Sequence, residues 1–346
     1  MIPSKITSIE HYDEVVARYN LRGSYSNNYM LRGEILELVR GGNLSVVSTG
    51  HNVFFIVPKP GCFRLYYYLN DTSELVFFDK GNFVTEILYR GDAFYPGGEV
   101  EFFLRCGFFK NLIRDQYAGI YKDLTLARDD DGVSIKIATT MDEVKYACEL
   151  FNSSFDSFSG DFIPESEYET LRDNGDVVVA TIGDLLSGAL HQTIENNVAW
   201  ISHVAVGEHA RGRHVGQSLV DFYVTRNMKS EKSRYMFWVQ RQNIPAVNMY
   251  QKKGFRYINK STISLLKINV KSMEKLLELL KGIRPDIDFE NETALVEDGL
   301  LDSFDVVSII SEIDDVFGVQ IRVSELDPEN FNSVQTIWNL IQKLQE

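Results

Sequence analysis

The chain has 346 residues, of which 44% are hydrophobic and 24% are charged, and its net charge is −14. This composition is typical of a soluble globular protein with two or three domains, and the negative charge argues against nucleic acid or an anionic membrane as the main partner. The apolar runs are too short to span a bilayer, and the first ten residues lack the pattern of a signal peptide. Three widely spaced cysteines, Cys62, Cys106 and Cys148, have neither disulfide nor metal-ligand spacing, so we expect a cytoplasmic protein.

The acidic residues are concentrated at the C-terminal end. From Lys271 to Glu346 there are seventeen Asp and Glu against six Lys and Arg, which gives that segment a net charge of −11. The preceding 270 residues therefore carry only −3. This change in composition predicts a domain boundary near residues 268–272 and a separate acidic module over residues 272–346.

The acidic module is predicted to contain four helices. Ser272 can cap the first helix, which presents an apolar face and stops before Pro285. The second helix follows Ser303 and ends at Phe317-Gly318. A short segment over residues 319–323 comes next, and the last helix opens at Ser333.

The second helix begins with Asp302-Ser303-Phe304, preceded by Asp298-Gly299-Leu300. Over its whole length the module resembles acyl or peptidyl carrier proteins, which implies that a phosphopantetheinyl transferase esterifies Ser303 with 4′-phosphopantetheine. A hydroxyl at an exposed helix start is accessible, and the helix N-terminus favours the charge of a phosphodiester. The alternative is an acidic helical bundle in which Ser303 only caps a helix. Four acids are expected to face basic patches on loading and downstream enzymes: Asp305, Glu312, Asp314 and Asp315.

Residues 133–268 are predicted to alternate strands and helices, with a strand over Ala199–Val206 and a later helix over Ile244–Lys253 that ends at Gly254. A last pair of strands reaches Ile268. Between the strand and the following helix lies a loop rich in Gly and Arg. Backbone N–H groups at such a turn can hold a phosphate, and the arginines add charge.

Two motifs in this segment have the spacing of the GNAT acyltransferase superfamily. The first is Arg211-x-x-His214-x-Gly216, and the second contains Asn243, Ala246, Tyr250, Gly254 and Phe255. The resemblance implies that the backbone of residues 204–206 pairs with the amides of a pantetheine arm and that Tyr250 protonates the leaving thiolate, a role that suits a phenol. The alternative for Tyr250 is a half-buried structural aromatic. The cofactor-binding residues implied by the resemblance are Val204, Val206, Arg211, Arg213, His214, Gly216 and Asn243.

Two positions leave alternatives open. His214 replaces the first glycine of the family's loop, so it either crowds the pyrophosphate of coenzyme A, which would favour a carrier-bound donor, or simply tolerates a left-handed conformation. His203 lies where a base for the acceptor is expected, and its imidazole can accept a proton near neutral pH. The alternative for His203 is a strand residue with one structural hydrogen bond. Weaker candidates for the base are Glu195, His191 and Ser202.

Residues 1–132 are rich in aromatic residues and are predicted to form an α+β lobe. A helix over Val100–Cys106 is followed by Gly107-Phe108 and a strand over Leu112–Leu124. Aligned 147 residues apart with the second motif, Phe103 takes the place of Tyr250 and Pro96 that of Asn243. The segment also lacks a phosphate loop, so it resembles a degenerate, non-catalytic GNAT lobe. The alternative is an unrelated accessory fold.

The sequence thus predicts tandem α+β GNAT-like lobes over residues 1–132 and 133–268, followed by an all-α carrier domain. The resemblances imply an acyltransferase that passes an acyl group from a phosphopantetheine thioester, or from acyl-coenzyme A, to an amine or similar nucleophile. Its place would be the biosynthesis of a natural product or modified lipid. Two alternatives are a GNAT-like decarboxylase that loads a polyketide synthase and a non-catalytic carrier scaffold.

Overall fold

The computed structural model describes residues 3–78, 81–126, 132–156, 158, 162–268, 270–317, 319–322 and 325–344. Within these ranges no helix is long and apolar enough to cross a membrane. Two predicted boundaries, at Gly318 and Val323, lie outside the described residues.

The described part of the first lobe contains three α-helices and seven strands. Its elements are β1 (Ser4–Lys5), α1 (Ile9–Tyr19), β2 (Tyr25–Ser26), α2 (Arg32–Arg40), β3 (Ser45–Ser48), β4 (Val53–Lys59), β5 (Cys62–Leu69), β6 (Phe83–Tyr89), α3 (Gly97–Arg105) and β7 (Phe109–Ile120). The helix expected over Val100–Cys106 is therefore present as α3. The strand expected over 112–124 is shifted, because its last residues form a 3₁₀ turn at Tyr121–Asp123.

The second lobe also follows the predicted order. Its elements are β8 (Val133–Ile137), α4 (Met141–Ser154), α5 (Tyr168–Asn174), β9 (Val177–Ile182), β10 (Leu185–Glu195), β11 (Val198–Val206), α6 (Val215–Arg226), β12 (Arg234–Gln240), α7 (Ile244–Lys252) and β13 (Arg256–Lys267). The pair of strands expected before Ile268 is instead one strand, β13. An irregularity in its pairing between Tyr257 and Ser261 contains Asn259 at a φ of 55°.

The two lobes repeat one supersecondary unit. Helices α3 and α7 both have nine residues and begin 147 residues apart, and the twelve-residue strands β7 and β13 begin 147 residues apart as well. Pro96 and Asn243 are the corresponding N-caps. Gly107 and Gly254 follow the helices with φ values of 86° and 97°, a conformation that glycine adopts at little cost. The repeat register expected from the Gly-Phe pairs is thus present in the backbone.

The lobes exchange their last strands within a single sheet. The strand order is β1-β3-β4-β5-β6-β13-β7-β12-β11-β10-β9-β8, with β2 pairing with β5 off this path. Strand β13 of the second lobe thus lies between β6 and β7, and β7 of the first lobe lies between β13 and β12. The Arg241 guanidinium clamps this junction, since it donates to both carboxylate oxygens of Asp115 at 2.9 and 2.8 Å. Neither lobe has a complete sheet of its own.

The C-terminal module corrects the expectation of four α-helices. Its described residues form three, α8 (Val270–Ile283), α9 (Ser303–Phe317) and α10 (Val334–Leu344), and the segment before α10 is a 3₁₀ turn at Pro328–Phe331. Because α8 begins at Val270, Ser272 lies inside the helix and is not its cap. The module has a core of buried apolar residues from all three helices, including Leu276, Ile309 and Ile337.

The repeat assigns Phe103 a structural role. Its side chain is fully buried, with its ring centroid 5.0 Å from that of Tyr67 and 5.1 Å from that of Phe108. We expect Phe103→Ala to lower the free energy of unfolding by about 3–5 kcal/mol, because it leaves a large cavity. Leu104→Ala is the matched control, since Leu104 is 40% exposed on the same helix. Denaturant titration would contradict this role if the two variants lost equal stability.

Candidate functional site

The site begins where two parallel strands separate. Strands β11 and β12 pair from Val198 and Arg234 up to Ile201 and Phe237, and no further. Beyond that point β12 stays paired with β7 up to Gln240, while β11 continues to Val206 along β10. Among the described strands, none covers the free edge of β11 over residues 202–206. Val204 and Val206, predicted to hold a pantetheine arm, lie on this edge, which can pair with an extended amide chain.

A β-bulge changes which side chains face each side of the sheet at this opening. His191 pairs with His203 and Gln192 pairs with Ile201, so Ser202 is the extra residue. Ile201 and Val204 consequently pack on the α6 side, whereas Ala205 packs on the other side with α4 and α5. The bulge therefore places His203 on the α4 side, beside Phe151.

His203 and His191 form a stacked imidazole pair. Their ring planes differ by 7°, and their Nδ1 atoms are 3.1 Å apart, so one Nδ1 carries the hydrogen that the other accepts. His203 is buried, and its ring centroid is 5.2 Å from that of Phe151 and 5.1 Å from that of Phe155. Burial lowers the pKa of His191, and the nearby Asp176 opposes this shift. His191 therefore stays neutral to lower pH than an ordinary histidine, and a neutral imidazole can accept a proton.

The other two candidates for the base are placed less favourably. Ser202 is exposed in the bulge, and Glu195 is exposed at the end of β10. Glu195 pairs with Val198 beside the Asn196-Asn197 turn, at the end of β11 remote from the opening. The structure thus brings His191 together with His203 and leaves Glu195 away from them.

Tyr250 lies on the α6 side of the sheet, in the core beneath α6 and α7. It is 6% exposed, and its ring centroid is 4.0 Å from that of Phe237 and 5.9 Å from that of Phe255. Burial raises the pKa of Tyr250 above its ordinary value of 10. The phenol therefore stays protonated throughout the neutral range, as a proton donor requires. Tyr250 contacts Phe237, which is the last residue of β12 that pairs with β11, so Tyr250 lies where the two strands diverge.

The predicted phosphate loop joins β11 to α6. A 3₁₀ turn at Glu208–Ala210 leads into a turn over 211–214, and α6 begins at Val215. His214 is the N-cap of α6 and has a φ of 59°, so it adopts the left-handed conformation that was one of its two interpretations. Arg211, Arg213 and His214 are exposed, and Gly216 is half-buried in the first turn. Arg211 pairs with Glu208 at 2.8 Å.

Helices α6 and α7 are joined across the site. The Lys253 ammonium group is 2.5 Å from the Asp221 carboxylate; the Lys253 side chain is buried and that of Asp221 is half-buried. Burial lowers the pKa of Lys253, and Asp221 opposes this shift. Asn243, predicted to bind the cofactor, uses its Oδ1 to accept the Ala246 N–H at 3.2 Å and so begins α7. No pattern in the sequence predicted the Lys253–Asp221 pair, which holds the helix that bears Tyr250.

Ser303 is the first residue of α9, and it does not cap the helix. Asp302 is the cap: its Oδ1 accepts the N–H groups of Phe304 at 2.8 Å and Asp305 at 2.9 Å. Asp305 accepts the Asp302 N–H in return at 3.1 Å, which completes a capping box with Asp in place of Glu. The Ser303 side chain is exposed. Phe304 and Val307 beside it are 85% and 63% exposed.

Asp305 departs from its predicted role as a free surface acid. Its side chain is 16% exposed and accepts a hydrogen bond from Arg284 at 2.6 Å. Arg284 also donates to the Leu300 carbonyl at 2.7 Å, so it fixes the loop before Ser303. Glu312 and Asp314 are exposed as predicted; the side chain of Asp315 is not among those described.

The C-terminal module lies beside the phosphate loop. The Glu329 carboxyl group is next to that of Glu208, and repulsion between the two charges raises the pKa of Glu329, while Arg211 acts in the opposite direction. The apolar core of the module continues into Leu266 and Ile268 at the end of β13. Strands β11, β12 and β13 all end at this edge of the sheet, because β11 runs parallel to β12, and β12 and β13 are both antiparallel to β7.

Comparison with known families identifies the second lobe. Residues 144–255 match the sequence profile described as Acetyltransferase (GNAT) family, and this span contains the strand divergence, the phosphate loop and Tyr250. The chain therefore carries a GNAT acyltransferase domain. No curated protein sequence matches the chain.

Solved structures similar to this chain include several GNAT proteins. The glucosamine N-acetyltransferase region of a fungal multi-domain GH3 β-N-acetylglucosaminidase has a TM-score of 0.50 at 12% identity, covering 76% of this chain and 38% of that chain. A GCN5-related N-acetyltransferase from Kribbella flavida gives 0.44 at 15%, covering 66% and 91%. A tandem GNAT protein from the clavulanic acid biosynthesis pathway gives 0.42 at 13%, covering 65% and 82%. At these identities the likeness concerns the fold alone, and the first match shows that fold.

The geometry of Tyr250 generates a kinetic prediction. Tyr250→Phe keeps the buried ring but removes the proton donor, so we expect kcat to fall on the order of 10²-fold with little change in stability. Acyl transfer from acyl-coenzyme A to an amine found by screening, followed through thiol release, measures this. Tyr168→Phe is the matched control, because Tyr168 is also buried but packs with α4 on the other side of the sheet. Equal kcat for Tyr250→Phe and the unmodified protein would contradict the role.

The imidazole pair generates a prediction about pH. Because burial lowers the pKa of His191, its neutral form persists to lower pH, and the acid limb of kcat/KM that arises from His191 should lie below the usual range of a histidine. We expect His191→Asn to change that limb, and His203→Asn to lower kcat/KM on the order of 10²-fold. His11→Asn, on α1 of the first lobe, should leave both unchanged. An unchanged kcat/KM for His203→Asn would show that His203 is structural.

Proposed function

We propose that the protein is an N-acyltransferase whose donor is an acyl thioester on a 4′-phosphopantetheine arm attached to Ser303, and whose acceptor is an amine. The observation that carries the proposal is the capping box. Because Asp302 and Asp305 satisfy the helix start, the Ser303 hydroxyl is exposed at the first residue of α9 and is not used as a cap. The hydroxyl is therefore accessible for esterification.

The residues of this module fit such an arm. The loop before Ser303 is held by Arg284, so the hydroxyl has a fixed position, and the exposed Phe304 and Val307 offer an apolar surface to a modifying enzyme. The attached arm would supply a flexible thiol that carries the acyl group as a thioester. A phosphopantetheinyl transferase and an enzyme that loads the acyl group would then be partners of this chain.

The second lobe supports the transfer step. The acceptor nitrogen attacks the thioester carbonyl carbon, forming a C–N bond as the C–S bond breaks. His203 accepts the proton from nitrogen, and Tyr250 donates its proton to the sulfur, after which solvent restores both groups. These two residues lie on opposite sides of the sheet, and the gap between β11 and β12 connects the sides. Donor and acceptor would therefore approach from opposite sides.

The position of the module favours delivery of the donor by the tethered arm. Strand β13 ends at Lys267 and α8 begins at Val270, so the connection is very short and keeps the arm at a high effective concentration near the cleft. Arg211 is also paired with Glu208 and lies close to Glu329. A free polyphosphate would compete with these acids for Arg211, whereas an arm attached at Ser303 needs no pyrophosphate site. We expect the setting to be a biosynthetic pathway that uses carrier-bound acids.

Modification of Ser303 is tested by mass spectrometry. Incubation with coenzyme A and a broad-specificity phosphopantetheinyl transferase should raise the mass of the wild-type protein by one phosphopantetheine group and leave the mass of Ser303→Ala unchanged. The matched control is Ser308→Ala, another exposed serine of α9, whose hydroxyl donates to the Phe304 carbonyl. It should be modified normally. Modification of Ser303→Ala would contradict the assignment.

The source of the donor is tested by competition. The wild-type protein, carrying the acyl group on its phosphopantetheine arm, should transfer that group to the amine faster than Ser303→Ala transfers the same group from acyl-coenzyme A. If Ser303→Ala uses acyl-coenzyme A equally well, the arm is not the donor. A bound acyl group that loses CO₂ would instead indicate a decarboxylase of the polyketide-loading kind, and one that never reacts would indicate a scaffold.

A further inference from the structure

The first lobe contains a cleft equivalent to the one between β11 and β12. Strands β5 and β6 run parallel and pair only at Phe63 with Phe83 and Arg64 with Val84. Tyr67 lies three residues beyond the last paired residue of β5, as Val204 lies three beyond that of β11. Both side chains pack on the side of the sheet that α3 and α7 cover in their respective lobes. The frame of an arm-binding cleft is thus present twice.

In the first lobe this cleft is filled by the chain itself. Strand β2 pairs antiparallel with β5, through Tyr25 with Leu69 and Ser26 with Tyr68. The next residue, Asn27, is only 4% exposed, and its Oδ1 accepts the Tyr67 N–H at 2.9 Å.

The carboxamide of Asn27 bridges the two diverging strands. Its Nδ2 donates toward the Leu65 carbonyl of β5 at 3.1 Å, the Glu86 carbonyl of β6 at 2.9 Å and the Thr85 hydroxyl at 2.9 Å. Buried backbone groups must be paired, and the separation of the strands leaves the Leu65 and Glu86 carbonyls outside the ladder between β5 and β6. The Asn27 amide donates to both carbonyls, and the Thr85 hydroxyl also donates to that of Leu65 at 3.1 Å.

Below the amide, the cleft is closed by side chains. The Tyr67 hydroxyl donates to Glu99 of α3 at 2.6 Å, and the Tyr67 ring packs on Phe103, the residue in the place of Tyr250. Burial raises the pKa of Glu99, which favours its neutral form. Tyr67 and Phe103 thus occupy the volume beneath the backbone edge in this lobe.

We propose that the Tyr25–Asn27 segment is a built-in occupant of a second arm-binding cleft, in which it takes the place of an extended, amide-bearing thioester arm. The segment matches such an arm in two respects: it is extended along the free edge of a strand, and it presents an amide to the backbone of the diverging pair. The first lobe is closed to pantetheine-like ligands for this reason, and only the second lobe accepts one. This inference rests on the proposed function for the nature of the ligand.

The test uses the full chain with Ser303→Ala, so that no arm of its own is present, and pantetheine as the probe. Hydrogen–deuterium exchange is read at residues 65–69 and 202–206. In this parent we expect pantetheine to slow exchange at 202–206 only. With Asn27→Gly added, exchange at 65–69 should become faster without ligand and should slow on adding pantetheine, to an extent comparable with 202–206.

Asn52→Gly is the matched control. Asn52 lies just before β4 and is fully buried; its Nδ2 donates to the Asp71 carbonyl at 2.7 Å and its Oδ1 accepts the Asn70 N–H at 2.8 Å, both in the loop after β5. This variant loses a similar set of hydrogen bonds without opening the cleft, so pantetheine should not protect residues 65–69.

Should Asn27→Gly fail to fold, Asn27→Asp serves the same purpose, because a carboxylate is repelled by the carbonyls of Leu65 and Glu86. Absence of pantetheine protection at 65–69 in the folded Asn27 variant would overturn the proposal. Absence of protection at 202–206 in the parent would instead count against the proposed function, so the two failures are distinguishable.

Discussion

The exchange of β7 and β13 between the lobes is the constraint on which the rest of the structure depends. Each of these strands pairs with the other and with one strand of the opposite lobe: β7 with β12 and β13 with β6. The first lobe has Phe103 in the place of Tyr250, yet its strand β7 pairs with β12, which bears Phe237 beneath Tyr250. The first lobe therefore completes the sheet on which Tyr250 packs.

The same exchange explains why the catalytic cleft stays open. Strand β12 pairs with β7 along its whole length, from Arg234 to Gln240, but with β11 only as far as Phe237. Closing the gap toward β11 would break hydrogen bonds to β7, and the bidentate contact of Arg241 with Asp115 adds to that cost. The pairing of β12 with β7 thus keeps the gap between β11 and β12 open.

The sequence predicted local elements well and pairing poorly. Helices, strands and the offset of 147 follow from apolar periodicity and from Gly107-Phe108 and Gly254-Phe255, which are local signals. The strand exchange is not encoded in any local pattern. His191 and His203 flank the Asn196-Asn197 turn, but counting back from that turn places His191 opposite Ser202. The β-bulge at Ser202 brings the two imidazoles together, and the position of a bulge is not predicted by the alternation of apolar and polar residues. In the sequence, Asp302 and Asp305 cannot be told apart from the other acidic residues of the module. Only the structure shows that both form hydrogen bonds that cap α9.

The acidic charge of the C-terminal module can be interpreted from the position of the module beside the phosphate loop. A segment with a net charge of −11 lies beside a loop that bears Arg211 and Arg213, so the long-range electrostatic interaction between them is attractive. At close range the contact is different, because the Glu329 and Glu208 carboxylates repel each other, which raises the pKa of Glu329. The position of the module therefore depends less on this contact than on its apolar core, which continues into Leu266 and Ile268 at the end of β13. Burial of apolar surface is not weakened by the like charges, so it can hold the module beside the loop despite them.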